Sequence, residues 1–386
     1  MTIVVPERLT QRPRAARRAP RTLAALGALA LCACASGAGA PSQGNTTTPL
    51  PVPTSTAAPQ GLTWTVRPRE HVDLWLHGLA MLMDDTPRVP LFRRGYRDEM
   101  RATRTRAGVT TRLDAERDRL RERFGANPSL PLDAQFVPFA FDSWDALRRA
   151  ADYVVQSGGN PQRAGDQETA RAIAILANVF RSAADREWLR VFTGALDDEY
   201  ARFYRDYWAA QQRDRAATLA AIRSEWDRLS PRIQRFLLNS QQRGGELVPS
   251  LPLGGEGRTQ SGGPNSNLVA VSFPSSPAAA AEALYTAVHE FVGSTAGPIV
   301  ADNLSPADQR AGVADRYVSA AQVRGGLMLL QKTAPELAAG YARYYLATAG
   351  ASAGADPVAA LAAAFPLPQS IVDALGKQID VVLGGI

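Results

Sequence analysis

Apolar and polar residues alternate over Leu62–Val66 (LTWTV), and the β-forming side chains there predict a short strand. From His71 the pattern changes. His71–Met83 is apolar on most sides and predicts a helix buried over much of its surface. Arg94–Phe124 predicts an Arg-rich amphipathic helical stretch, broken near Gly108 and ended by Gly125 and Pro128. Phe136–Phe141 reads as extended or loop-like, because Pro138 interrupts a strand. Helices are predicted over Ser143–Gln156, Gln167–Ser182, Asp197–Leu229 and Pro231–Gln242, with Ser230-Pro231 as the N-cap and first-turn proline of the last. Arg243 to Pro274 is rich in Gly, Ser and Pro. Its apolar runs Leu247–Leu253 and Leu268–Phe273 predict two strands around a mobile loop, Gly254–Ser266. Ser276-Pro277 then caps a long helix to about Thr295. Further helices follow at Pro306–Lys332, Pro335–Ala349, Pro357–Ala364 and Gln369–Leu383. No period of 20–50 residues repeats. The fold class expected is α+β, mainly α.

The first 61 residues depart from this pattern. Six arginines and a single acid, Glu7, lie in residues 1–21, and the uncharged run Thr22–Leu31 follows. These are the charged and apolar regions of an export signal, and the run is too short to span a bilayer, which needs about 20 residues. Leu31-Cys32-Ala33-Cys34 resembles the lipobox of bacterial lipoproteins, with Leu at −3, Ala at −1 and Cys34 as the acylated residue. The resemblance implies a signal peptide over 1–33 and a membrane partner reached through lipidated Cys34. Ala35 in place of Asp implies the outer membrane, facing the periplasm. No charged residue occurs between Thr22 and Val66, and the Ser/Thr/Pro/Gly-rich segment 34–61 reads as a flexible tether.

The remainder divides at the Gly-rich segment into a helical region, 62–242, and a C-terminal region, 243–386, with one continuous domain as the alternative. Composition sharpens the picture in two ways. The chain has 386 residues, a net charge of +6 and only two cysteines, so it is not a disulfide scaffold. Removal of residues 1–33 takes away six arginines and one glutamate and lowers the charge to +1. A nucleic-acid partner is therefore not expected.

One helix carries a candidate for chemistry. Ala287-Val288-His289-Glu290-Phe291-Val292-Gly293 resembles the H-E-x-x-H helix of zincin metallopeptidases, where two His one turn apart bind zinc and the Glu is the general base. The resemblance implies a small sheet beside the active-site helix, His289 as a metal ligand and Glu290 as the catalytic base. Leu268–Phe273 stands where an edge strand would precede that helix. Gly293 occupies the second ligand position, and the only other histidines are His71 and His77. A catalytic zinc needs about three protein ligands. Asp302, Asp315 and Glu336 are the downstream acids available. The expectation is a zincin-like domain in a lipid-anchored envelope protein, an inactive or unconventional metallopeptidase homologue with no cofactor expected and zinc the only metal to test. The alternative is a non-enzymatic binding or scaffolding lipoprotein, with a protein, peptide or cell-wall partner left open.

Weaker patterns read as structure. Gly350-Ala351-Ser352-Ala353-Gly354 has G-x-S-x-G spacing, but a helical segment precedes it where a nucleophile elbow needs a strand. Gly254-Gly255-Glu256-Gly257-Arg258 lacks the Lys of a P-loop. Arg93–Arg123, with 11 Arg against six acids, reads as a solvated helix face. Tyr200, Phe203, Tyr204, Tyr207 and Trp208 recur at helical spacing and read as a core stripe.

Overall fold

A computed structural model describes residues 61–84 and 88–384. The expected signal peptide, Cys34 and the expected tether up to residue 60 lie outside them. The described chain is α+β and mainly α, with one four-stranded sheet. Its strands are β1 (Thr63–Val66), β2 (Gly244–Ser250), β3 (Arg258–Ser261) and β4 (Asn267–Ser272), in the order β1-β2-β4-β3. β1, β2 and β4 run parallel, and β3 pairs antiparallel with β4.

Between β1 and β2 lie α1 (Glu70–Leu82), α2 (Tyr96–Arg106), α3 (Arg117–Ala126), α4 (Trp144–Gln156), α5 (Gln167–Val179), α6 (Ala183–Glu199), α7 (Arg205–Asp214) and α8 (Ala216–Asn239), with shorter turns. After β4 come α9 (Ala281–Asn303), α10 (Ala314–Thr333), α11 (Pro335–Thr348), α12 (Pro357–Ala364) and α13 (Gln369–Gly384), with a short helix at Pro306–Ala311 between α9 and α10. Alternation along the strands splits the core into two layers. Leu247, Val269 and Val271 face a cluster built from α8–α13. Val248 and Ala270 face a second cluster built from α1–α6. A sheet covered on both faces needs near-continuous apolar strands, which explains the runs in β2 and β4.

Several segments differ from expectation. Phe136 to Ala140 belong to a 3-10 helix, Ala134–Ala140, and Phe141 alone is extended. That geometry needs only short-range hydrogen bonds, so Pro138 is tolerated, and the indole of Trp75 ties the segment down by donating to the Ala134 carbonyl at 2.8 Å. Helix α6 has no counterpart among the expected helices. It begins at a capping box in which the Ser182 hydroxyl accepts the Asp185 N–H and the Asp185 carboxylate accepts the Ser182 N–H. Helix α8 runs straight through Pro231 instead of restarting there. The proline frees only the carbonyl of exposed Asp227, which water can satisfy, while Leu229 and Ile233 anchor the helix on either side. Helix α9 likewise continues past Thr295 and through Pro298, and it starts at Ala281 after a 3-10 turn; the Ser276 side chain makes no capping bond.

The largest correction concerns Gly254–Ser266. This segment contains β3, a short polar strand without the apolar alternation that marks strands in sequence. Consequently β4 is internal and β3 is the edge strand beside α9.

Candidate functional site

Helix α9 is held against the sheet by its apolar residues. Phe291 is fully buried and meets Trp64 of β1 edge-on at 5.2 Å between ring centroids, and Trp226 of α8 at 6.0 Å. This clamp fixes the rotation of the helix and so directs the two preceding residues, His289 and Glu290.

His289 is 1% exposed and Glu290 9%. His289 Nδ1 lies 3.1 Å from Glu290 Oε1. The same oxygen accepts the Gly257 N–H at 3.1 Å, and Oε2 accepts the Thr259 hydroxyl at 2.9 Å. Burial is the largest influence on the Glu290 carboxyl and pushes its pKa up. The His289 hydrogen bond and charge, then Arg258 and Thr259, outweigh it and hold the group below the usual carboxylate range. Gly257 is required at its position, because a Cβ would come within 2.4 Å of the Ala270 carbonyl oxygen and 2.7 Å of Glu290 Cγ. Glu290 therefore fastens the start of β3 to α9.

The donor set does not fit a zinc ion. Among the described residues no group of three or more His, Cys, Asp or Glu side chains converges on a metal position. His289 Nε2 is buried without a hydrogen-bond partner, and its ring stacks on Tyr345 at 5.5 Å. At Gly293 a Cβ would meet only the side-chain amide of Gln322, at 2.8 Å. His71 and His77 belong to the other layer: His71 Nε2 lies 2.8 Å from the Phe141 carbonyl, and His77 sits between the Tyr96 hydroxyl and Glu199. The three downstream acids have separate surroundings. Asp302 is exposed near the end of α9, Asp315 lies in the first turn of α10, and Glu336 pairs with Arg232.

A cleft of about 600 Å³ opens between α9 and β3. Glu290, Gly293 and Ser294 form one wall, and Arg258, Thr259 and Ser261 of the edge strand form another. His289 is not part of its lining. Amide side chains, Gln242 and Gln322 among them, supply much of the polar surface, and half-exposed Phe136 stands at the side with Arg258 over its ring at 5.9 Å.

The remaining patterns fall into structural places. The Arg-rich stretch is largely ion-paired: Arg97 and Arg121 hold Asp84, and Arg123 holds Asp185. Of the aromatic stripe, Phe203 and Tyr204 are core residues. Ser352 lies in the irregular connector after α11.

Two buried carboxylates have no signal in the sequence. Glu199 is fully buried and accepts from Arg104 at 2.9 Å, from the Thr111 hydroxyl and from His77, whose Nε2 is 3.1 Å away. A π-helical turn, Tyr200–Tyr204, follows it directly. Asp73 of α1 is also fully buried. It accepts the Trp208 indole N–H at 2.9 Å, the Leu251 N–H at 3.1 Å and the Ser250 hydroxyl, so it joins α1 to α7 and to the end of β2. Burial pushes its carboxyl up to about 7 against these hydrogen bonds. Comparison with known protein families, with curated proteins and with solved structures found no match.

Proposed function

We propose that this chain is an exported, lipid-anchored envelope protein, attached through Cys34 and facing the periplasm from the outer membrane. On this reading its zincin-like C-terminal region binds a partner and does not cleave one. The observation that carries the reading is the engagement of Glu290. Three of the four lone-pair positions of its carboxylate accept from Gly257, Thr259 and His289. These partners hold the group below the usual carboxylate range, which makes it a weaker base for taking a proton from water. His289 acts as a positioning residue for that carboxylate and not as a metal ligand. The cleft along β3 is the binding surface this reading favours. Its amide and hydroxyl lining suits a neutral, hydrogen-bonding partner such as a peptide or a cell-wall polymer.

Metal analysis and casein hydrolysis on the purified protein test the main claim. The expected result is no stoichiometric zinc and no hydrolysis above a Glu290→Ala control. One zinc per chain that is lost in His289→Ala overturns the reading. The anchor is tested separately by Cys34→Ser, which should move the protein from the membrane fraction to the soluble one. Lipid labelling that persists in that variant sinks the assignment.

A further inference from the structure

A second concavity, of about 430 Å³, lies at the carboxyl ends of β2 and β4, the two parallel strands at the centre of the sheet. Its size falls in the range of small-molecule sites. Ligands of open α/β sheets gather at this end of the strands, where the chain turns away and leaves a crevice. Leu253 and Gly254 follow β2 into the pocket, and Phe273 to Ser275 follow β4.

The charges lining it differ in how they are matched, and Arg94, which donates to the Thr348 carbonyl at 3.3 Å, is already engaged. Arg93 and Glu99 satisfy each other at 2.7 Å. Arg215 and Glu282 do not. Arg215 is held in place, with Nε donating to Gln211 at 3.1 Å and Nη1 to the Phe273 carbonyl at 2.6 Å, and its guanidinium lies 5.5 Å over the Phe273 ring. Among the described residues it has no carboxylate within ion-pair distance. Glu282, on the first turn of α9, has neither an ion-pair nor a hydrogen-bond partner for its carboxyl, and burial alone raises its pKa. Neither of the two groups pairs with the other.

We propose that this pocket binds a small zwitterion, an amino acid or dipeptide, with its carboxylate on Arg215 and its ammonium on Glu282. A pre-positioned guanidinium offers a planar fork that matches a carboxylate. A half-buried carboxyl without a partner gains most from an incoming ammonium. One ligand bearing both charges satisfies both groups, which neither an anion nor a cation does. This pocket is separate from the α9–β3 cleft, so the inference stands whether or not that cleft binds a partner.

The test is calorimetric titration of the full-length protein with alanyl-alanine, its N-acetyl form and its C-terminal amide. The free dipeptide is expected to bind at least tenfold more tightly than either blocked form. Arg215→Gln should abolish the preference for acid over amide, and Glu282→Gln the preference for free over acetylated amine. The ligand-side comparison needs no substitution, so a poorly folded variant leaves the test intact. Equal binding of all three compounds, or binding of none at millimolar concentration, overturns the proposal.

Discussion

Asp73 makes the stability of this protein depend on pH in an unusual direction. Its carboxyl titrates at about 7 in the folded chain, against 3.8 for the ordinary group. The folded state therefore keeps a proton that the unfolded chain has already released. Stability from this group is fullest below pH 4 and is lost as the pH rises toward 7. Each unit of difference corresponds to about 1.4 kcal/mol. Between pH 5 and pH 8 the loss amounts to roughly 2–3 kcal/mol, and over the whole range to roughly 4 kcal/mol. Asp73→Asn cannot ionise. It also turns an N–H toward the Trp208 indole, at a pH-independent cost of about 1–3 kcal/mol. Urea unfolding of both proteins from pH 5 to pH 8 isolates the effect, because every other titrating group is common to the two. The variant should be the less stable at pH 5, and the difference should close by about 2–3 kcal/mol at pH 8. A difference that stays flat across this range refutes the argument and leaves Asp73 ionised throughout.

Other predictions concern the edges of the sheet. Glu290→Ala should cost about 2–3 kcal/mol and speed amide exchange in β3, while Glu290→Gln is milder because the Thr259 hydroxyl can turn; hydrogen exchange reads both. Gly257→Ala should destabilise by about 1–3 kcal/mol, since its Cβ meets a backbone oxygen. Gly293→Ala should be neutral or stabilising by up to about 1 kcal/mol, since only the Gln322 amide must move and the helix gains propensity; thermal melts distinguish the two glycines. Arg69 and Arg67 outweigh burial to pull the Glu246 carboxyl down to about 2. Its contribution is present above pH 4.5 and lost as the pH falls toward 2. Glu246→Gln should therefore cost about 1–2 kcal/mol at pH 7, half-exposed Arg67 being screened, and little at pH 2.

The mainly α character and the strands β1, β2 and β4 were legible because each announces itself locally, by alternation or by an apolar run between Gly and Pro. β3 was not, since Arg258–Ser261 is polar and is made a strand by β4 beside it and Glu290 behind it. The capping box Ser182-x-x-Asp185 did mark the start of α6 and could have been read. At the candidate site, His289 and Glu290 were visible as a pair. Their engagement depends on a strand more than thirty residues upstream in sequence and could not be. Asp73 and Glu199 look like ordinary acids on amphipathic helices. Only tertiary packing takes them out of water.

The pairing of β1 with β2 has a consequence for how this chain comes to fold. The Trp64 indole donates to the Gln242 carbonyl, 178 positions away, and the whole first helical layer lies between. Until residue 250 is available, β1 has no partner and Trp64 has no pocket. Contacts of such long range form late and slowly. The first helical layer does not wait in the same way, because most of its core comes from residues between β1 and β2. The helices of that layer can gather before the sheet exists, and β1 is then the last strand on its side to be secured, by a segment that lies far along the chain.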